Sequence, residues 1–124
     1  MRKAAKKFWE FGVLVAPAAT ILIALIIVVL SLVPPSGAPG ATLNDKVNHL
    51  LAYWVLAGTA IIGFHWVRRT YLVLALIAFG CILEILQGVM PFGREASIFD
   101  VVANTLGITV GIATAQFTRI FLEA

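Results

Sequence analysis

Polar and apolar positions alternate along this chain in long blocks rather than residue by residue. Apolar blocks run from Val13 to Val33, Val47 to Phe64, Tyr71 to Val89 and Ile98 to Phe121. Each approaches or exceeds the ~17–25 residues that cross a bilayer as a helix. The breaks read "PPSGAPGATLND", "HWVRRT" and "MPFGREAS", and they hold the prolines, glycines and charges that end helices. A bilayer offers backbone groups no partner except each other, so helix is the element these blocks predict. The expected fold is an all-α membrane protein, a compact bundle of four transmembrane helices forming a single domain over residues 1–124. Pro17, near the start of the first block, predicts either a kink or the true beginning of that helix.

Composition supports the same class. Of 124 residues, 61% are hydrophobic and 12% charged, with mean hydropathy +1.02. Soluble domains carry about a quarter charged residues, so this chain lacks the polar surface to cover a water-facing globule. The net charge of +3 and pI near 9.4 raise the question of nucleic acid. The cations sit in short flanks between apolar blocks, where membrane orientation explains them, so no nucleic-acid partner is expected. Arg2, Lys3, Lys6 and Lys7 precede the first block, Arg68 and Arg69 separate the second from the third, and Arg119 lies near the end of the fourth. Lys46 and Arg94 fall on the opposite side. The positive-inside rule then places both termini in the cytoplasm and the breaks at 34–46 and 90–97 outside. The basic start imitates a signal peptide, but the first block exceeds the ~7–15 residues of a signal core, which predicts an uncleaved spanning helix. Cys81, the lone cysteine, lies in an apolar run and reads as a small buried hydrophobe.

Against this background the polar residues gather on one side. Asp45, Lys46, Asn48, His49 and Tyr53 open the second block, Glu84 and Gln87 close the third, Arg94 and Glu95 occupy the break, and Ser97, Asp100 and Asn104 open the fourth. With alternating helix directions, all of them fall in the outer leaflet. Asp45, His49 and Tyr53 are four apart and form one stripe, and Glu84 and Gln87, three apart, share a face. Asp100, Asn104, Gly107 and Gly111 line another helix face, and the last two form a GxxxG pair that admits a close neighbour. An outward-opening polar cavity between three helices is expected. Glu84 stands out: it lies about five residues into its helix, on the order of 8 Å deep at ~1.5 Å per residue. A carboxyl at that depth is expected to be protonated or paired with His49 or Arg94, and is a functional-site candidate by default.

Blander readings stand beside these. "TLND" and "SIFD" match the S/T-x-x-D/E capping pattern, so Asp45 and Asp100 have capping roles open to them. Asn104 can serve as an interhelical hydrogen bonder and Arg94 as an interfacial anchor. Trp9, Trp66 and His65 read as interfacial decoration. "PPSG" has a partial likeness to the serine-glycine-histidine segment of membrane lipid phosphatases, but Ala38 stands where histidine is needed. There is no GxSxG, HExxH or phosphate loop. One histidine with Asp100 and Glu84 is a weak metal signature, so neither a metal nor a cofactor is expected.

The order of these residues resembles the VanZ-like family of small bacterial membrane proteins. The family pattern is Asp-Lys-x-x-His-x-x-x-Tyr, then Glu-x-x-Gln, an arginine in a loop, and Asp-x-x-x-Asn-x-x-Gly. Here Asp45, Lys46, His49, Tyr53, Glu84, Gln87, Arg94, Asp100, Asn104 and Gly107 occupy those positions. The resemblance spans about Asn44 to Gly111 and leaves the first helix without a motif. It implies a multi-pass protein of the bacterial cytoplasmic (inner) membrane and of cell-envelope biology, whose namesake is linked to teicoplanin resistance.

Two functions follow as expectations. In the first, the pocket binds a lipid-linked cell-wall precursor or lipoglycopeptide, contributing to glycopeptide resistance, with Asp45, Lys46, Tyr53, Gln87, Arg94 and Asn104 as ligand-binding residues. In the second, an intramembrane enzyme performs transfer or hydrolysis on a lipid-linked precursor or phospholipid headgroup. His49 would then be a general base, Glu84 an acid, and Asp100 an orienting group. Membrane lipids are expected partners of either, and a homo-oligomer is an open alternative.

Overall fold

A computed structural model describes residues 1–33, 45–90 and 95–123. Within them the chain is all-helical: α1 spans Arg2–Leu32, α2 Asp45–Gly63, α3 Arg69–Val89 and α4 Ile98–Glu123. α1 begins well before the apolar block, at Arg2 rather than Val13. Its basic first turns are helical in their own right and carry an i,i+4 ion pair, Lys6 to Glu10 at 3.9 Å. Pro17 therefore does not mark the helix start and lies inside a continuous helix. The Thr20 hydroxyl donates to the Ala16 carbonyl at 2.8 Å beside it.

Three helices, α1, α3 and α4, are long and apolar enough to cross a membrane, which fits a membrane protein. Their apolar windows are mostly not buried within the chain, only 17%, 28% and 39% of each. The uncovered residues include Leu22, Leu25 and Val29 on α1, Ile82 and Ile85 on α3, and Phe117 and Phe121 on α4. Apolar surface this extensive has no place in water and suits hydrocarbon. α2 falls short of that measure because Asp45, Lys46, Asn48 and His49 dilute its first turns.

α2 is nevertheless the centre of the bundle, packing most extensively on α4 and next on α1. Leu56 and Ile108 are the largest fully buried side chains, and Tyr53, Ala57, Ala60, Leu76 and Leu83 join them in one core cluster. α2 and α4 run side by side in the same direction, with Lys46 beside Asp100, His49 beside Asn104, and Trp54 beside Thr114. Two glycines set this approach. A Cβ on Gly107 would run into the Leu50 carbonyl oxygen, and one on Gly111 would stand 2.5 Å from the Trp54 carbonyl oxygen. Dispersion contacts rather than water expulsion hold helices together in lipid, so bare backbone at these positions is what permits the tight seam.

Candidate functional site

The seam delivers a polar cluster at the end of the bundle where α2 and α4 begin. His49 sits between the two helices. Its Nδ1 lies 2.9 Å from the Asn104 side-chain oxygen, and an amide oxygen only accepts, so Nδ1 carries the proton of that bond. Nε2 then faces Asp45 Oδ2 and Asp100 Oδ2, each at 3.6 Å. Lys46 donates to the other Asp100 oxygen, and lies 3.9 Å from Asp45. Two carboxylates against one ammonium leave one negative charge uncompensated at the Nε2 edge, the place where an incoming donor is best held. Asp100 is only 5% exposed, so the Lys46 and His49 contacts are what make its burial tolerable.

The expected capping role of Asp100 gives way to a different arrangement. In a Ser-x-x-Asp box, Asp100 would reach back to the Ser97 amide. That N–H instead donates to Glu84 Oε2 at 2.9 Å. Glu84, on α3 and 5% exposed, thus places its carboxylate on the start of α4, where free amides and the helix dipole favour an anion. This releases Asp100 for the cluster with Lys46 and His49. Of the alternatives expected for Glu84, pairing with His49 is not seen, since no ion pair joins them within 4 Å, and pairing with Arg94 lies outside the described residues. The "TLND" reading of Asp45 likewise falls on residues that are not described.

A cavity of about 300 Å³ opens beside the cluster. Its polar wall comes from Asp45, Asn48, His49, Tyr53 and Gln87, and its apolar wall from Ile27, Leu30 and Leu51. Gln87 is itself fixed, its amide nitrogen donating to the Ser31 carbonyl of α1 at 2.8 Å. Asp100, Asn104 and Glu84 lie behind this wall rather than on it. Tyr53, 2% exposed, continues the stripe of Asp45 and His49 inward, and its ring lies over Gly80, where an added Cβ would come within 3.2 Å. The residues expected to converge from α2, α3 and α4 therefore do so, but in two layers: Asp45, His49, Tyr53 and Gln87 face the cavity, and Asp100, Asn104 and Glu84 brace them.

Sequence reasoning passed over three contributors. Gly80 shares a face with Glu84 and Gln87 at helical spacing and seats both Tyr53 and the Asn104 amide. The other two, the Ser97 amide and the Ser31 carbonyl, are backbone groups and leave no side-chain signal. Asp45, His49 and Asp100 also offer three donor atoms within 4.8 Å of one another, a grouping a divalent ion could bridge. The Lys46 ammonium already occupies the neighbouring Asp100 oxygen and would compete with such an ion.

Fold and site together define an all-helical membrane protein with a braced polar cluster opening on a part-apolar cavity at one end of its bundle. Comparison with family models, with curated proteins and with solved structures returned no match.

Proposed function

We propose that this chain is a VanZ-like protein of the bacterial inner membrane whose outward-facing pocket binds the headgroup of a lipid-tailed ligand. α2 serves as a fourth span, both termini lie in the cytoplasm, and the cluster faces the outside, in keeping with the cations at the other end. One observation carries the reading: the roughly 300 Å³ cavity combines a polar wall around His49 with an apolar wall on α1. A lipid-linked cell-wall precursor or a lipoglycopeptide has the matching division into polar head and acyl tail. The net negative charge at His49 complements hydroxyl and amine donors, as sugars and peptide amines provide. Binding of a teicoplanin-like drug there would lower its free concentration at the membrane and so contribute to resistance.

Binding is favoured over catalysis by how His49 is engaged. Nδ1 is committed to Asn104, so only Nε2 keeps a lone pair, and Asp45 and Asp100, each at 3.6 Å, crowd the approach to it. Glu84, the candidate acid, is held by the Ser97 amide behind the cavity wall. The test is calorimetric titration of the purified protein with a lipid-tailed aminosugar, and with the same lipid lacking the sugar. Headgroup-dependent binding that His49→Ala weakens at least tenfold is expected. Equal binding of both lipids would refute the pocket, and a covalently altered headgroup after incubation would return the case to an enzyme.

A further inference from the structure

A second cavity, of about 370 Å³, lies at the other end of the bundle, between α1, the α2–α3 link and α4. Its lining divides by chemistry. Val13, Ile61 and Leu72 give it apolar sides, while Arg69, Gln116, Arg119 and Glu123 give it a polar rim. The two arginines are held but not used up. With its oxygen turned to Arg69, the Gln116 amide accepts from both terminal nitrogens of the guanidinium, orienting it without neutralising it. Among the described residues no carboxylate lies within ion-pair distance of Arg69. Among the described residues Arg119 gives only its Nε–H to Glu123, at 3.0 Å, which leaves its four terminal N–H groups for another acceptor. Two guanidiniums against one carboxylate leave the rim with one net positive charge. Apolar sides under such a rim, in a membrane protein, match a lipid with an anionic headgroup rather than a soluble anion.

We propose that this cavity is a binding site for an anionic phospholipid, its phosphate between Arg69 and Arg119 and its acyl chains along Val13, Ile61 and Leu72. Guanidinium groups suit this task because their fork of donors matches phosphate oxygens. Basic pockets between helices at the membrane face recognise lipid headgroups by this chemistry. The four cations that open α1 lie toward the same end and add attraction for an anionic leaflet without belonging to the cavity.

Delipidated full-length protein would be titrated with phosphatidylglycerol, phosphatidylcholine and glycerol 1-phosphate, and bound species counted by native mass spectrometry. Phosphatidylglycerol is expected to bind at least tenfold more tightly than phosphatidylcholine. Arg69→Gln and Arg119→Gln should each cost about fivefold of that preference. Lysine at both positions should restore most of it, which separates lost charge from lost fold. Arg68→Gln, outside the cavity, should leave it unchanged. Equal binding of the two lipids would overturn the proposal, as would an Arg68 effect as large as that of Arg69. Displacement of phosphatidylglycerol by glycerol 1-phosphate at equal concentration would overturn it too, revealing a plain anion site.

Discussion

Gly111→Ala tests whether the α2–α4 seam assembles the polar cluster. The new Cβ would stand 2.5 Å from the Trp54 carbonyl oxygen, 2.8 Å from Ala57 Cβ and 3.0 Å from the Gly58 nitrogen. Ordinary contact begins at 3.4 Å, so α4 must retreat from α2 by about 0.9 Å. Two of the three obstacles are backbone and cannot swing aside. Asn104 rides on the same helix two turns away, so the same retreat would stretch its 2.9 Å contact with His49 to about 3.8 Å, beyond the ~3.2 Å at which N–H···O bonds normally end. Overpacking of this kind costs about 1–3 kcal/mol. Unfolding of the purified protein in mixed detergent, followed by circular dichroism, should show a loss in that range, and ligand affinity should fall with it. Gly12→Ala is the matched control: no atom lies within 4 Å of its added Cβ, and alanine is the better helix former by about 1 kcal/mol. If Gly111→Ala and Gly12→Ala unfold alike, the seam is not what positions the site.

Two further outcomes follow from the cluster itself. With histidines only at 49 and 65, nitrogen-15 NMR of labelled imidazoles should separate the two rings. His49 should show Nδ1 protonated, and Asn104→Leu should abolish that preference while His65 stays as it was. An unchanged His49 signal in Asn104→Leu would mean the bond does not set the tautomer. Glu84→Ala should destabilise the protein by about 1–3 kcal/mol, because the Ser97 amide loses its acceptor in a part-buried place. Glu84→Gln keeps an oxygen there and should lose less than half as much in the same detergent unfolding assay. Equal losses in the two variants would instead assign the effect to the carboxylate charge.

The helices and the polar end of the bundle were legible in the chain because both follow from one-dimensional patterns. Apolar runs between punctuating Pro, Gly and charge define α1, α3 and α4, and the i,i+4 spacing of Asp45 and His49 already implies their 3.6 Å approach. Gly107 and Gly111 signalled a close neighbour, though not which one. What could not be read was register between helices. That Glu84 meets the Ser97 amide rather than His49 depends on where α4 starts relative to α3, and a backbone amide has no letter in the sequence. Asp100 illustrates the consequence. Its local pattern is that of a cap, and only the third helix, by taking the capping amide, frees it for Lys46. The early start of α1 was missed for another reason: hydropathy finds the part of a helix in the membrane and is blind to a charged extension beyond it.

The cluster combines fixed and exchangeable parts, and this bears on how a buried polar site can admit a ligand. Lys46 joins it from the rim, with 47% of its side chain exposed, and its 3.9 Å pair with part-exposed Asp45 contributes little to stability. His49 and Asn104 lie deeper, where a lost hydrogen bond has no water to replace it. The bundle does not depend on either pair for closure, since bare glycine backbone brings α2 and α4 together. A ligand donor can therefore displace the Lys46 ammonium from Asp45 without parting the helices, whereas one that sought the Asn104 oxygen would have to break the inner bond first. Recognition should act through Asp45 on the cavity wall, with Asp100 bracing the cluster from behind and His49 held as a fixed wall.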